Sequence, residues 1–264
     1  MKILRITYIF LIFYSIQCNS TETIEDVDFI GKDNKTYKTA KDPGSKKIIS
    51  EIVKTAPEFQ SFKSDFSMKI QTFVPKPDTV YLDGKVFYSN EGKLVKIQLM
   101  DTFFGLIFTE LISNPTQIQI KSSSSKDISN FPMGDLIIQD PNTKKNIAIP
   151  FPVIYQYLTG SYIDEIQNPK SKFLISESRV LLEKPDGIYE YFFQNGSMER
   201  LELSSVKRGL KAIALVKNST SSFFPPKEII TKVISLDTEK ENVLIQIQMK
   251  KTTKLEPGIN TFRF

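Results

Sequence analysis

The sequence contains no histidine, no tryptophan and a single cysteine among its 264 residues. Without histidine the chain can form neither a Ser–His–Asp triad nor a Cys/His zinc site, and one cysteine cannot form an internal disulfide. We therefore expect no enzymatic activity, no metal and no cofactor. The 35 Lys and Arg residues only slightly outnumber the 30 Asp and Glu residues, and the lysine doublets are dispersed, so we expect no nucleic acid as partner.

The first 17 residues have the pattern of an export signal. Two basic residues precede an apolar run over 6–16, which is too short to span a bilayer comfortably. Cys18 follows at the place where a lipoprotein precursor is cut, although Ser15 and Gln17 depart from the usual lipobox. The sequence predicts a signal peptide over 1–17 and acylation of Cys18, for example with palmitate. The alternative is an ordinary secretory signal beside an incidental cysteine.

The chain after Cys18 divides into a polar segment and a longer, more apolar one. Residues 18–45 are polar and charged, which is typical of a flexible tether. Residues 46–264 are long enough to form one domain with a sizeable core. Apolar side chains on one helical face of 46–56 predict an amphipathic helix that ends near Pro57.

Most of the domain alternates apolar and polar residues with a period of two, which is typical of half-buried strands. Turn signals such as Asp83-Gly84 and Asn195-Gly196 separate these segments. We predict a mainly β (α+β) protein of about ten or eleven strands, mostly sequential and antiparallel, interrupted by a short helix at 151–160. The apolar positions that alternate in strands or recur at helical spacing are Phe66, Met68, Ile70, Val95, Ile97, Leu99, Ile118, Ile120, Phe151, Ile154, Tyr155, Leu158, Val243, Ile245 and Ile247.

The order of these elements resembles the LolA/LolB family of lipoprotein carriers and receptors. The similarity is greatest to LolB-like outer-membrane lipoproteins, and it covers roughly residues 50 to 264. Within that span the helix Pro150-Phe151-Pro152 to Leu158-Thr-Gly160 is similar to the proline-flanked helix of the family, which ends in a Leu-x-Gly turn. The other segments that carry the resemblance are 81–99, 101–111, 118–120 and 225–264.

The resemblance implies an incomplete, strongly curved antiparallel β-barrel with a helical lid. It also implies an apolar cavity between sheet and lid that receives the acyl chains of lipids or lipoproteins. The fifteen apolar positions named above are then the candidate cavity lining. Their flexible aliphatic side chains suit a hydrocarbon ligand.

LolB-like receptors carry an exposed leucine on a protruding loop between two of these strands. At the corresponding place this chain has Ser89-Asn90-Glu91-Gly92, none of which is apolar. Phe73 and Val74 beside a turn are the substitute candidates for membrane contact, and the alternative is that they end a core strand.

These features lead to three hypotheses for function, of which the third, a hydrolase that relies on Ser or Asp alone, has little support. The first is a monomeric, membrane-anchored lipoprotein, located at the outer membrane and facing the periplasm, that takes part in lipoprotein localisation together with a LolA-like carrier. The second is a structural or adhesion-type surface lipoprotein that binds a protein partner and has no ligand cavity.

Overall fold

The computed structural model describes residues 36–56, 60–73, 77–102, 104–123, 127–139, 146–217, 225–256 and 261–264. The predicted signal peptide, Cys18 and Val74 lie outside the described residues. One compact unit extends from Thr36 to Phe264, and β-strand and helix are already present before the predicted domain start at residue 46. Within the described part of the chain no helix is long and apolar enough to cross a membrane.

The described residues form sixteen strands and three α-helices. The helices are α1 (Pro43–Thr55), α2 (Phe151–Thr159) and α3 (Tyr162–Ile166). The strands are β1 (Lys38–Thr39), β2 (Phe62–Thr72), β3 (Asp78–Ser89), β4 (Leu94–Met100), β5 (Ile107–Ser113), β6 (Gln117–Ser122), β7 (Ile128–Pro132), β8 (Leu136–Gln139), β9 (Asn146–Ile149), β10 (Lys172–Leu174), β11 (Arg179–Lys184), β12 (Gly187–Gln194), β13 (Ser197–Ser205), β14 (Leu210–Lys217), β15 (Glu228–Ser235) and β16 (Glu241–Lys254).

Fourteen strands pair antiparallel in one sheet, and β8 and β9 form a separate pair. The order in the large sheet is β1-β10-β11-β12-β13-β14-β15-β16-β2-β3-β4-β5-β6-β7. Neighbouring strands in this sheet are therefore sequential in the chain, except for the pairs β1 with β10 and β16 with β2. The predicted antiparallel arrangement is confirmed, and the sheet is open, with β1 and β7 as its edges.

The count of ten or eleven strands was wrong for the part of the chain that the structure describes. Strands β1, β8, β9 and β10 have two to four residues each. So few residues cannot display a period of two, and pairing with a neighbour defines these strands instead.

The inward face of the sheet follows from the strand register. On β2 the side chains of Phe66, Met68 and Ile70 are buried, and the residues between them are more exposed. Ile70 lies opposite Ile245 of β16 and Val80 of β3. Residues that face each other across antiparallel strands share a face of the sheet, so the apolar face of β2 continues on both sides.

The N-terminus of helix α1 is capped by the side chain of Asp42. The Asp42 carboxylate accepts a hydrogen bond from the Gly44 backbone N–H at 2.9 Å, and Pro43 occupies the first turn. Ile48 and Ile52 on one side of the helix are buried in the core. The predicted amphipathic helix is thus confirmed, and it begins before residue 46.

Helix α2 is buried on every side, since all nine of its residues are buried. It contacts β4 on one side and β13, β14 and β15 on the other. Strands β14 and β4 are five places apart, about 24 Å in a flat sheet at roughly 4.8 Å per strand. A helix about 10 Å wide can touch both only if the sheet curves around it.

The ends of α2 are fixed by backbone geometry and by a buried hydrogen bond. Gly160 terminates the helix with φ 65°, a left-handed conformation that glycine adopts without strain. The Tyr157 hydroxyl donates to the Ala214 backbone oxygen at 3.1 Å. The helix is therefore joined to β14 through a polar contact inside the apolar core.

Gly84 in β3 should be intolerant of a side chain, because the Phe66 ring occupies the space above it. A Cβ at this position would lie 2.3 Å from Phe66 Cζ and 2.7 Å from the Gln98 backbone oxygen. We expect Gly84→Ala to lower the free energy of unfolding by about 1–3 kcal/mol, the usual effect of overpacking. Urea unfolding followed by circular dichroism measures this change.

Gly134 provides the control, because a Cβ there would come no closer than 3.8 Å to another atom, the Pro132 backbone oxygen. Gly134→Ala should leave the unfolding midpoint almost unchanged. Equal midpoints for the two variants would show that the packing around Gly84 is not tight.

Candidate apolar binding site

The fifteen predicted lining residues come together on the inward face of the sheet and on α2. Twelve of them are buried members of one hydrophobic cluster, and Ile97, Leu99 and Ile120 are partly buried and pack against it. The sequence pattern therefore identified inward positions throughout. Their role in binding a ligand stays a prediction.

The buried twelve belong to one packed core, which also contains α2. Their exposed fractions run from 0% for Val95 to 7% for Val243 and Ile247. Side chains this inaccessible contact other side chains rather than an open space. A ligand could reach them only if this core opened.

Tyrosine hydroxyls hold α2 against the hairpin between β3 and β4. The Tyr155 hydroxyl donates to the Lys93 backbone oxygen at 2.6 Å, and the Tyr88 hydroxyl donates to the Thr159 backbone oxygen at 3.3 Å. Burial, with a smaller contribution from the charge of Asp164, raises the pKa of Tyr88 to about 12. Burial likewise raises the pKa of Tyr155. Both hydroxyls therefore remain protonated donors at neutral pH.

The inward face is less well covered on β3, β4 and β6, away from α2. Here the apolar residues of the inward face are only partly buried, and we call them the half-open face: Val80, Leu82, Ile97, Leu99 and Ile120. The register places them together, because Ile97 lies opposite both Val86 and Leu111, and Leu111 lies opposite Ile120. This surface is a partly accessible apolar region of the inward face.

Val80 and Leu82 were missed by the sequence analysis. Their signal was present, since Val80, Leu82, Val86 and Tyr88 alternate along β3 and point inward with Gly84 between them. The Asp83-Gly84 pair was interpreted as a turn, which divided this strand. In the structure the glycine lies within the strand because it makes room for the Phe66 ring.

One end of the sheet carries a row of exposed apolar side chains on its turns. The turns after β2, β4, β13 and β15 all lie at this end, as the register requires of alternate hairpins. We call their exposed apolar residues the apolar rim: Phe73, Phe104, Leu106, Ile107, Val206 and Leu236. Phe131 and Ile175 are exposed elsewhere, but six exposed apolar residues on the turns of one end favour a contact surface there.

The turn between β4 and β5 carries two of the most exposed large apolar residues of the rim. Phe104 is 81% exposed and Leu106 is 67% exposed. Asp101 shapes the turn, because its carboxylate accepts from the Phe104 N–H at 2.8 Å and its backbone oxygen accepts from the Gly105 N–H at 2.9 Å. Gly105 has φ 65° and open space around it. These contacts hold two large apolar side chains in solvent.

Of the two predicted membrane-contact residues, Phe73 lies within the described part of the chain and Val74 does not. Phe73 is 38% exposed, and its N–H donates to the Asn242 backbone oxygen at 3.0 Å at the end of β2. It thus belongs to the rim, as one of its less exposed members. Sequence reasoning missed Phe104 and Leu106, although an apolar pair flanking a glycine between two strands is a visible signal for such a turn.

The half-open face is adjacent to the rim. Leu99 and Met100 end β4 immediately before the turn that carries Phe104, and Val80 and Leu82 lie in the part of β3 nearest the turn after β2. The half-open face and the rim therefore lie next to each other at the same end of β3 and β4.

No protein-family model matches the sequence, and no curated protein matches it. Among solved structures, a LolA superfamily protein from Nitrosomonas europaea matches with a TM-score of 0.52 and 10% identity, covering 86% of this chain and 98% of that chain. A domain described as an outer membrane lipoprotein-sorting protein from Vibrio parahaemolyticus matches with a TM-score of 0.44 and 10% identity, covering 81% and 94% of the two chains. The Nitrosomonas europaea structure has the higher TM-score of the two. The chain is similar to it in fold, and that fold is the LolA-like fold.

Proposed function

We propose that this chain is an exported, lipid-anchored protein that binds an acyl chain of a lipid or lipoprotein on the half-open face. The acyl chain enters and leaves across the apolar rim. The observation that carries the proposal is the continuity of partly buried inward residues with exposed apolar turns at the same end of the sheet. The LolA-like fold supports it, because the similar structure from Nitrosomonas europaea is a LolA superfamily protein.

A partly covered site suits transfer better than a closed one. Burying one CH₂ group contributes roughly 0.8 kcal/mol, so about 14 of them represent about 11 kcal/mol of apolar transfer. The free energy of binding the acyl chain to a carrier must therefore be close to its free energy of binding in the donor and in the acceptor, so that the carrier can both accept the chain and release it. Val80, Leu82 and Leu99 are only half covered, which keeps one side of the ligand available to the next acceptor. Binding and release of this kind need no catalytic step.

The anchor and the location are part of the same proposal. Cys18 follows an apolar run that has the length of a signal segment, so an acylated Cys18 would attach the chain to a membrane. We place the protein at the outer membrane, facing the periplasm, as a monomer. A LolA-like carrier would be its donor, taking part in lipoprotein localisation.

A second candidate function has its own support. All nine residues of α2 are buried, so the sheet is already filled along much of its inward face. A structural or adhesion-type lipoprotein that binds a protein partner would need no more than this. Under that alternative the half-open face binds no hydrocarbon, and the rim contacts a protein.

Leu82→Gln and Leu99→Gln should weaken the binding of a fluorescent fatty acid. Both side chains belong to the half-open face, and a buried amide without a partner is unfavourable against hydrocarbon. We expect each substitution to raise the dissociation constant roughly tenfold, which corresponds to about 1.4 kcal/mol. Fluorescence titration of the detergent-free protein gives the value.

Leu244→Gln is the matched control, because Leu244 is also partly buried but lies on the outer face, opposite Lys232 and Gln71. It should bind the fatty acid as the parent chain does. Failure of the parent chain to bind any fatty acid would favour the structural alternative.

Phe104→Ser with Leu106→Ser should slow the movement of a bound fatty acid to phospholipid vesicles. The two side chains are the most exposed on their turn, so their removal takes away the apolar area that would contact the vesicle. We expect transfer to slow by about tenfold or more while the equilibrium dissociation constant changes little. Stopped-flow fluorescence with a quencher in the vesicles reports the rate.

The control changes Val53 and Ile137 to serine, since these side chains are exposed to 45% and 58% but lie outside the rim. Transfer by this variant should match that of the parent chain. Equal slowing by both pairs would mean that overall surface hydrophobicity, rather than the rim, sets the rate.

Cys18→Ala should abolish metabolic labelling with radioactive palmitate. The substitution removes the only thiol of the chain, and a thioether to lipid requires that sulfur atom. Labelling is read from the immunoprecipitated protein, and Ser50→Ala, an exposed position outside the lipobox, is the control that keeps the thiol. Palmitate incorporation that survives Cys18→Ala would contradict lipidation at this residue.

A further inference from the structure

A depression of about 380 Å³ lies on the outer face of the sheet, on the side away from α2. It is formed where β2 pairs with β3 and β16, and the half-open face is not part of it. Its wall carries three lysines, one aspartate, a threonine and one phenyl ring: Lys63, Lys85, Lys251, Asp65, Thr253 and Phe87.

A β-bulge brings Lys251 to this face. Along β16 the inward positions Ile247 and Met249 alternate with outward ones, and this alternation would carry Lys251 inward. The register shifts between Met249 and Lys251, so the extra residue Lys250 restores an outward position to Lys251. The next residue, Thr252, then faces inward. Bulges commonly redirect side chains toward a site in this way.

The register arranges the side chains of the depression in two rows across three strands. Asp65 lies opposite Lys85 on one side and Lys251 on the other. Lys63 lies opposite Phe87 on one side and Thr253 on the other. Neighbouring positions in adjacent rows are close enough for long side chains to converge. The three ammonium groups can therefore reach one point above the sheet.

These lysines lack the counter-charges that their neighbours have. Lys250, one residue from Lys251, pairs with Asp83 at 2.7 Å. Among the residues that the structure describes, no carboxylate lies within ion-pair distance of Lys63, Lys85 or Lys251. With Asp65 as the only carboxylate in its wall, the depression has an excess of positive charge. Concave surfaces of one sign concentrate the field and attract counter-ions.

We propose that this depression binds a phosphate group, as a phosphomonoester or phosphodiester. Lysine binds phosphate as a point charge, and three converging ammonium groups match the three-dimensional spread of phosphate oxygens better than a planar carboxylate. The Thr253 hydroxyl adds a donor, and the Phe87 ring provides an apolar wall for the carbon that bears the phosphate. A volume of about 380 Å³ equals roughly a dozen water molecules, which is enough for a glycerophosphate headgroup.

The site goes beyond acyl-chain binding, because it lies on the opposite face of the sheet and uses none of the same residues. Two sources share this chemistry, the headgroup of a phospholipid and a free phosphate compound. A phosphodiester with glycerol on both sides represents the first, and inorganic phosphate represents the second.

The test is titration of the full chain with glycerophosphoglycerol and with inorganic phosphate, followed by amide NMR shifts. We expect saturating shifts at Phe87 and Thr253. The triple variant Lys63→Gln, Lys85→Gln, Lys251→Gln should raise the dissociation constant at least about tenfold, because it removes the three ammonium groups. Tighter binding of the diester indicates a lipid headgroup, and tighter binding of inorganic phosphate indicates a free phosphate compound.

The control is a second triple variant with the same loss of charge, Lys46→Gln, Lys170→Gln, Lys240→Gln, whose lysines are exposed and remote in sequence from the depression. It should bind both probes as the parent chain does. Equal weakening in the two triple variants, or no saturating shift in the parent chain, would overturn the proposal. Fatty-acid binding measured in parallel should be unchanged by either variant, so the phosphate site and the acyl site succeed or fail separately.

Discussion

Helix α2 has no face that can meet water, so the sheet has to enclose it. Phe151, Ile154 and Leu158 are each no more than 4% exposed, and even Gln156 is 4% exposed. A flat sheet covers only one side of a helix, and burial of α2 against β4 and β14 together requires a curved one. Burying a side chain of this size contributes about 1.5–3 kcal/mol, so enclosure of the helix is a large part of what keeps the sheet curved.

The same constraint determines where a ligand could bind. Because α2 is short, it covers the inward face beside β13, β14 and β15 and reaches β4, but it leaves parts of β3 and β6 only half covered. The residues that α2 leaves half covered are apolar because they continue the inward face of the sheet. The half-open face is thus a consequence of a large sheet and a small helix, and the exposed turn with Phe104 extends it to the end of the strands.

Much of the fold could be predicted from the sequence because alternation and helical spacing report burial directly. Met68, Ile97 and Ile247 alternate with polar neighbours, and all three face inward. The short strands could not be predicted, since Lys38–Thr39 becomes a strand only through pairing with β10. The apolar rim could not be predicted from the sequence, because the exposure of a side chain depends on its position in the folded structure. Phe104 and Phe108 look alike in sequence, but only Phe104 lies in the turn that Asp101 shapes.

The central claim is that an acyl chain lies against the half-open face, and a spin-labelled fatty acid tests it most directly. Stearate with a nitroxide near its methyl end broadens the amide NMR signals of residues near the end of the chain. We expect selective broadening at Val80, Leu99 and Ile120, with little change at Leu203 and Ala212, which are fully buried under α2. Broadening confined to the outer face, or none at a saturating concentration of the fatty acid, would contradict the claim.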